Sequence, residues 1–253
     1  FENSVATYWA KIPVYNNRGG VKVALAMSPK HEELLCDPKI KTCDSEMIKR
    51  GDDFFLHITV KKCVDITPRN SGRLAIIGID AGISNTATSV VWRDDRITGV
   101  NMHSGKRLAH KVRQAKARLA KQHRLAFTHN SCHCVEKALD RETELGRELS
   151  NYTRDCLHKT SAAIVVQALE LRAQGYDVAI ACENLKHIRK RISGKLQWWA
   201  FRQLLDFVKY KAQWAGIPVV EIEPANTSRI CPRCGHCDKG NRVNKTKSKT
   251  LWD

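Results

Sequence analysis

Between Ala6 and Val64 short apolar runs, Val21–Met27 and Phe54–Val60 among them, alternate with polar turns such as Lys49-Arg50-Gly51-Asp52-Asp53, a pattern that predicts a small β-rich unit. Asp65–Gly72 holds Pro68, Asn70 and Gly72 without apolar periodicity and reads as a linker. The run Leu74-Ala75-Ile76-Ile77-Gly78-Ile79-Asp80 is nearly continuous in apolar residues and ends on a carboxylate, as a buried strand with an acidic tip does. Thr86–Trp92 and Ile97–Met102, separated by Arg93-Asp94-Asp95-Arg96, continue it as an antiparallel meander.

The period then changes. Leu108, Val112, Ala115 and Leu119 fall on one face of a helix, and Lys106, Arg107, Lys111, Arg113, Lys116, Arg118, Lys121 and Arg124 occupy the rest, with no acid among them. A second helix is expected over Leu145–Gln174, closed by Gly175, and a third over Leu196–Ala215, closed by Gly216. Val178–Cys182 reads as a buried strand that again ends on an acid, Glu183, and Ile217–Ile222 as a last strand. That order of elements predicts a mixed α/β sheet with flanking helices. The Lys-, Asn- and Thr-rich stretch Lys239–Thr250 is of low complexity.

Composition narrows the function. The 253 residues carry 43 Lys and Arg against 26 Asp and Glu, a formal charge of +17 that favours a polyanion such as nucleic acid. No apolar run approaches the roughly 20 residues of a membrane-spanning helix, and no basic segment carries the aromatic face of an interfacial anchor, so no membrane partner is expected. The ten cysteines lie scattered through apolar segments and one CxxC cluster, which fits reduced thiols in a cytoplasmic, nucleoid-associated protein better than a disulfide framework. Cys36, Cys43, Cys63, Cys156 and Cys182 read as buried or incidental. Phe1 in place of an initiator Met reads as a chain whose front end is missing.

Metal-dependent phosphodiester cleavage needs carboxylates converging on one point, and rigid strand ends supply such convergence. Asp80 and Glu183 fit that need if their strands share a sheet; each alone could equally mark where a strand meets water. The residues around them decide between the two. Gly78-Ile79-Asp80-Ala81-Gly82-Ile83-Ser84-Asn85-Thr86-Ala87 resembles the first RuvC motif of the TnpB (OrfB) family, transposon-encoded relatives of the type V CRISPR effectors, and Glu183-Asn184-Leu185 resembles the second. Trp199-Ala200-Phe201, Tyr210-Lys211-Ala212, Gly216-Ile217-Pro218-Val219 and Pro224-Ala225-Asn226-Thr227-Ser228 follow in the family's order. They lead into Cys231-Pro232-Arg233-Cys234-Gly235, where that family carries a zinc ribbon.

The resemblance implies an RNase H-like (RuvC) nuclease domain over residues 73–225, preceded by a β-rich wedge-like domain over 1–72 and followed by the first half of a zinc ribbon over 226–253. It implies RNA-guided cleavage of double-stranded target DNA with a guide RNA as partner, Asp80 and Glu183 as two of the catalytic acids holding Mg²⁺ or Mn²⁺, and Cys231 and Cys234 as Zn²⁺ ligands. The family's third acid, an Asp beyond the second half of the ribbon, finds no counterpart: Asp238 and Asp253 come too early, and the expectation is a fragment without that residue. Cys237 and His236 are bystanders in this reading, and the cluster His129, Cys132, His133 and Cys134 a coincidence in a polar stretch between helices.

Lys111, Arg113, Lys116, Arg118 and Lys121, with Lys186, Arg189, Lys190, Arg191 and Lys195 after Glu183, are expected to hold phosphates around the catalytic edge. Trp198 and Trp199 either stack on bases or anchor the next helix. Two other functions stay open: a nuclease-dead protein that binds RNA and DNA without cutting, and a structure-selective nuclease sharing only the fold, which the CxxC segment disfavours.

Overall fold

The computed structural model describes residues 7–66, 71–82, 85–128, 132–184, 201–223, 230 and 234–238. The chain divides into two compact units, Phe1–Asp65 and Ile66–Asp253.

The first unit holds two antiparallel hairpins, β1 (Tyr8–Val14) with β2 (Asn17–Leu25) and β3 (Ile40–Arg50) with β4 (Asp53–Lys62), and one short helix, α1 (Pro29–Cys36), between them. The β-rich reading holds here, and Gly51-Asp52 forms the turn with Gly51 at φ +63°. The helix was not anticipated. Pro29 fits its first turn, and the Ser28 carbonyl accepts from the amides of His31 and Glu32 at 2.9 and 3.1 Å. None of the described residues of this unit is buried.

The second unit is built on a five-stranded sheet of β5 (Leu74–Asp80), β6 (Asn85–Arg93), β7 (Arg96–Ser104), β8 (Asp177–Glu183) and β9 (Val219–Ile222), in the order β7-β6-β5-β8-β9. β5, β6 and β7 form the expected meander, while β8 and β9 join parallel to β5. Among the described residues three helices complete it: α2 (Lys106–Thr128), α3 (Cys132–Ala173) and α4 (Phe201–Trp214).

Alternation decides which side of the sheet is covered. Ala75, Ile77 and Ile79 of β5 and Val178, Ile180 and Cys182 of β8 are buried against Leu157, Ile164, Ala168 and Leu171 of α3 and Leu204, Leu205 and Val208 of α4. Each fully buried Ile or Leu in this layer contributes about 1.5–3 kcal/mol. On the other side Leu74, Val100, Met102, Val220 and Ile222 are exposed.

Both parallel crossovers turn on a glycine in the left-handed region. At the end of α3 the amides of Gly175 (φ +88°) and Tyr176 reach the carbonyls of Arg172 and Leu171. At the end of α4 those of Gly216 (φ +71°) and Ile217 reach Gln213 and Ala212. These are two Schellman closures, each with a buried residue after the glycine to seal it, and they aim the chain into β8 and toward β9.

The starting ends of β5 and β8 are stapled together. Tyr176, 4 % exposed, lies between the Arg73 and Arg93 guanidiniums, 4.1 and 5.4 Å from its ring centre, and its hydroxyl donates to Asp94 at 2.8 Å. The Asp177 amide donates to the Arg73 carbonyl at 2.8 Å, and the Ser71 amide to the Asp177 carboxylate at the same distance.

One expectation needs correction. α3 begins at Cys132, not Leu145, so residues 132–134 are helical and not a polar connection. Gly146 within the helix costs about 1 kcal/mol relative to Ala; around it Leu145, Leu149 and Tyr152 share a hollow with Lys111, Ala115 and Arg118 of α2, and Glu142 meets His123 at 3.1 Å. Cys36, Cys43, Cys63, Cys156, Cys182, Cys234 and Cys237 are free, Cys182 buried and Cys36 and Cys63 exposed, which agrees with thiols that are buried or incidental.

Candidate functional site: a pair of strand-end carboxylates

β5 and β8 are each seven residues long and run in step, with Leu74 level with Asp177 and Ile79 level with Cys182. Their last residues, Asp80 and Glu183, are therefore neighbours across a parallel pair whose strands lie about 4.8 Å apart. Parity settles the side. Each acid follows a buried residue, Ile79 and Cys182, so both belong to the side of the sheet turned from α3 and α4. The end row across the sheet reads Met102, Thr88, Asp80, Glu183, Ile222, two acids flanked by a hydroxyl and two exposed apolar residues.

The carboxyls feel each other. The Asp80 pKa is raised above the ordinary carboxylate value, first because its carboxyl is partly withdrawn from water and then because Glu183 is nearby. A cation shared by the two would relieve both causes, and hard oxygen donors suit Mg²⁺ or Mn²⁺. No group of three or more His, Cys, Asp or Glu residues able to hold a metal occurs among the described residues.

Topology also delivers positive charge to this edge. β7 runs parallel to β5 two strands away, so it ends at Ser104 on the same edge, and α2 starts two residues later with the Lys106 amide on Ser104 Oγ at 3.4 Å. Lys111, Arg113, Arg118 and Lys121 are exposed along α2 and Lys116 is half-buried; the Lys111 ammonium lies 5.7 Å from the centre of the Tyr152 ring on α3. The eight cations of α2 thus belong to a helix that starts from the sheet edge carrying the carboxylates. Lys186, Arg189, Lys190, Arg191 and Lys195, and the tryptophans 198 and 199, lie outside the described residues.

On the α4 side, Glu183 and Asn184 line a hollow of about 40 Å³ together with Arg202, Leu205, Asp206, Lys209 and Glu221. Lys209 is paired with Glu221. Sequence reasoning missed this set. Its trace is the spacing 202, 206, 209, a charged stripe on the helix whose buried positions are 201, 204, 205, 208 and 212.

Of the zinc candidates, Cys231 lies outside the described residues, and so do the residues of the low-complexity stretch. Cys234 is exposed, and Ile230 and Cys237 bridge across a turn in which Gly235 has φ +70°.

A mixed sheet with two acids at the ends of adjacent parallel strands and a basic helix leaving the same edge brings together groups whose chemistry suits a divalent cation and a phosphate. Comparison with known proteins places it further. Residues 201–252 match the Cas12f1-like, TNB domain family. The chain is 37 % identical over 97 residues to a TnpB-like protein of Methanocaldococcus jannaschii, covering 36 % of this chain and 33 % of that one. It is 30 % identical over 171 residues to the CRISPR-associated endodeoxyribonuclease Cas12f1 of Sulfoacidibacillus thermotolerans, covering 66 % of this chain and 39 % of that one. A cryo-EM structure of a CRISPR-Cas12f ternary complex shares the fold with a TM-score of 0.55 at 17 % identity, covering 87 % of this chain and 42 % of that one. The chain is a relative of the TnpB-like and Cas12f1 proteins, as its motifs implied. It spans about a third to two fifths of the length of these two curated relatives.

No helix among the described residues is long and apolar enough to cross a membrane.

Proposed function

We propose that this chain carries the catalytic edge of an RNA-guided, metal-dependent DNA endonuclease with an RNase H-like (RuvC) nuclease domain. The observation that carries the reading is the placement of Asp80 and Glu183, 103 positions apart in the chain, level with each other at the end of one parallel strand pair. In this reading residues 1–72 form the wedge-like domain, 73–225 the nuclease domain and 226–253 the first half of a zinc ribbon, with Cys231 and Cys234 as zinc ligands.

Asp80 and Glu183 would hold Mg²⁺ or Mn²⁺, which would supply Lewis-acid neutralisation of phosphate charge and a lowered pKa for water. The chain's own residues do the rest. Parallel pairing from Leu74 to Ile79 and the staple around Tyr176 fix the strand ends, so the acids meet the substrate without reorganising. The α2 cations hold the backbone of a guide–target duplex, and the name of the Cas12f1 relative, an endodeoxyribonuclease, supports DNA as the strand that is cut.

The full-length protein, purified with its RNA, should cleave DNA in Mg²⁺, and D80A or E183A should abolish cleavage while RNA binding survives. Cleavage by the double variant would refute the assignment. A wild-type protein that binds RNA and DNA in Mg²⁺ without cutting either would establish the nuclease-dead reading instead.

A further inference from the structure

Glu183, the last residue of β8, lines the hollow on the α4 side together with Arg202 of α4. Two cations line it, and they differ. Lys209 is engaged by the Glu221 carboxylate. Arg202 is exposed and makes no ion pair or hydrogen bond among the described residues, although Asp206 lies one turn further along the same helix. An arginine that shares a hollow with carboxylates and has no partner among the described residues is available to an incoming anion. Its planar fork matches the oxygens of a phosphate better than an ammonium does.

We propose that Arg202 is a catalytic residue that holds a non-bridging oxygen of the phosphodiester cut at the Asp80–Glu183 edge, where negative charge grows as the bond to the leaving oxygen lengthens. The inference rests on the nuclease reading and adds to it a substrate contact from a helix that the catalytic motifs do not include. Asp206 and the Lys209–Glu221 pair line the same hollow.

The test uses the full-length protein with its RNA, loaded on target DNA in EDTA and started by adding Mg²⁺. R202A should bind target as the wild type does in EDTA, melt at the same temperature, and cut roughly a hundred-fold more slowly, the loss usual for one preorganised donor to a developing oxyanion. R202K should recover only part of the rate. Sulfur in place of the phosphate oxygen that Arg202 holds should slow the wild type and leave R202A unaffected. An R202A rate within about twofold of a wild type that D80A inactivates would overturn this assignment while leaving the nuclease reading standing. A wild type that does not cut would remove the reading beneath it.

Discussion

Neutralising Asp80 should stabilise the metal-free protein and remove its response to magnesium. Asp80 and Glu183 sit on adjacent strands about 5 Å apart, and their carboxyls at about 6 Å would repel by roughly 3 kcal/mol at an effective dielectric of about 20. Asp80 is exposed at the strand end, so solvent screening reduces this to about 1 kcal/mol. The sign follows from its pKa. The folded state holds the Asp80 proton to a higher pH than the unfolded chain does, because of burial and then Glu183, so at neutral pH the ionised group costs folding free energy. D80N should therefore melt about 2–4 °C higher than wild type in EDTA.

In Mg²⁺ at about a hundred times its dissociation constant the wild type gains about 2.7 kcal/mol and moves up by roughly 5–10 °C, whereas D80N has lost half of the site and stays where it was. The order of the two melting temperatures should reverse between the buffers. Equal magnesium shifts for the two proteins, or a D80N that is less stable in EDTA, would refute the reasoning.

Other outcomes follow from the same structure. Replacing Lys111, Arg113 and Arg118 together by Gln should weaken nucleic-acid binding across sequences and reduce the slope of log affinity against log salt by about 0.7–0.9 for each phosphate no longer neutralised; an unchanged slope would make α2 a solvated face. His103 and His158 have lowered pKa values, chiefly through burial, with Lys211 and Arg154 adding to the effect at His158. Above about pH 6.5 neither state of the protein binds their protons, and below it the unfolded chain binds them first. Denaturant melts should then show stability falling from about pH 7 toward about pH 5.5, less steeply in H158Q, and a rise would contradict the assignment. Tyr176→Ala should cost roughly 3 kcal/mol in denaturant melts and slow cleavage, since the staple that aligns β5 with β8 is removed; a slower enzyme of unchanged stability would contradict that link.

The parts of the fold that were legible in the sequence are those where a local signal and the tertiary outcome agree. Leu74–Asp80 and Val178–Glu183 are continuous apolar runs closed by an acid, and they are β5 and β8. Leu108, Val112, Ala115 and Leu119 give α2 its period, and Leu108 and Ala115 are buried. The first thirteen residues of α3 were hidden because the stretch opened by Cys132, His133 and Cys134 is polar and lacks an apolar period; in the fold Glu142 of that stretch meets His123 of α2 at 3.1 Å. α1 was hidden because eight residues are too few to show a period.

The site was legible in its residues and not in its geometry. Nothing local to Asp80 or Glu183 says that Leu74 enters level with Asp177, and a shift of one residue would put the two acids on opposite sides of the sheet. Arg202 was invisible for a related reason. A charged residue on the solvent side of a helix carries no mark of what it faces until the helix is packed.

The most direct measurement of the central claim is Mn²⁺ binding, followed by electron paramagnetic resonance in the full-length protein with RNA and DNA bound. If Asp80 and Glu183 hold one site, D80N and E183Q should each lose the bound-ion signal as completely as the double variant. Wild-type Mn²⁺ affinity in either single variant would contradict the claim.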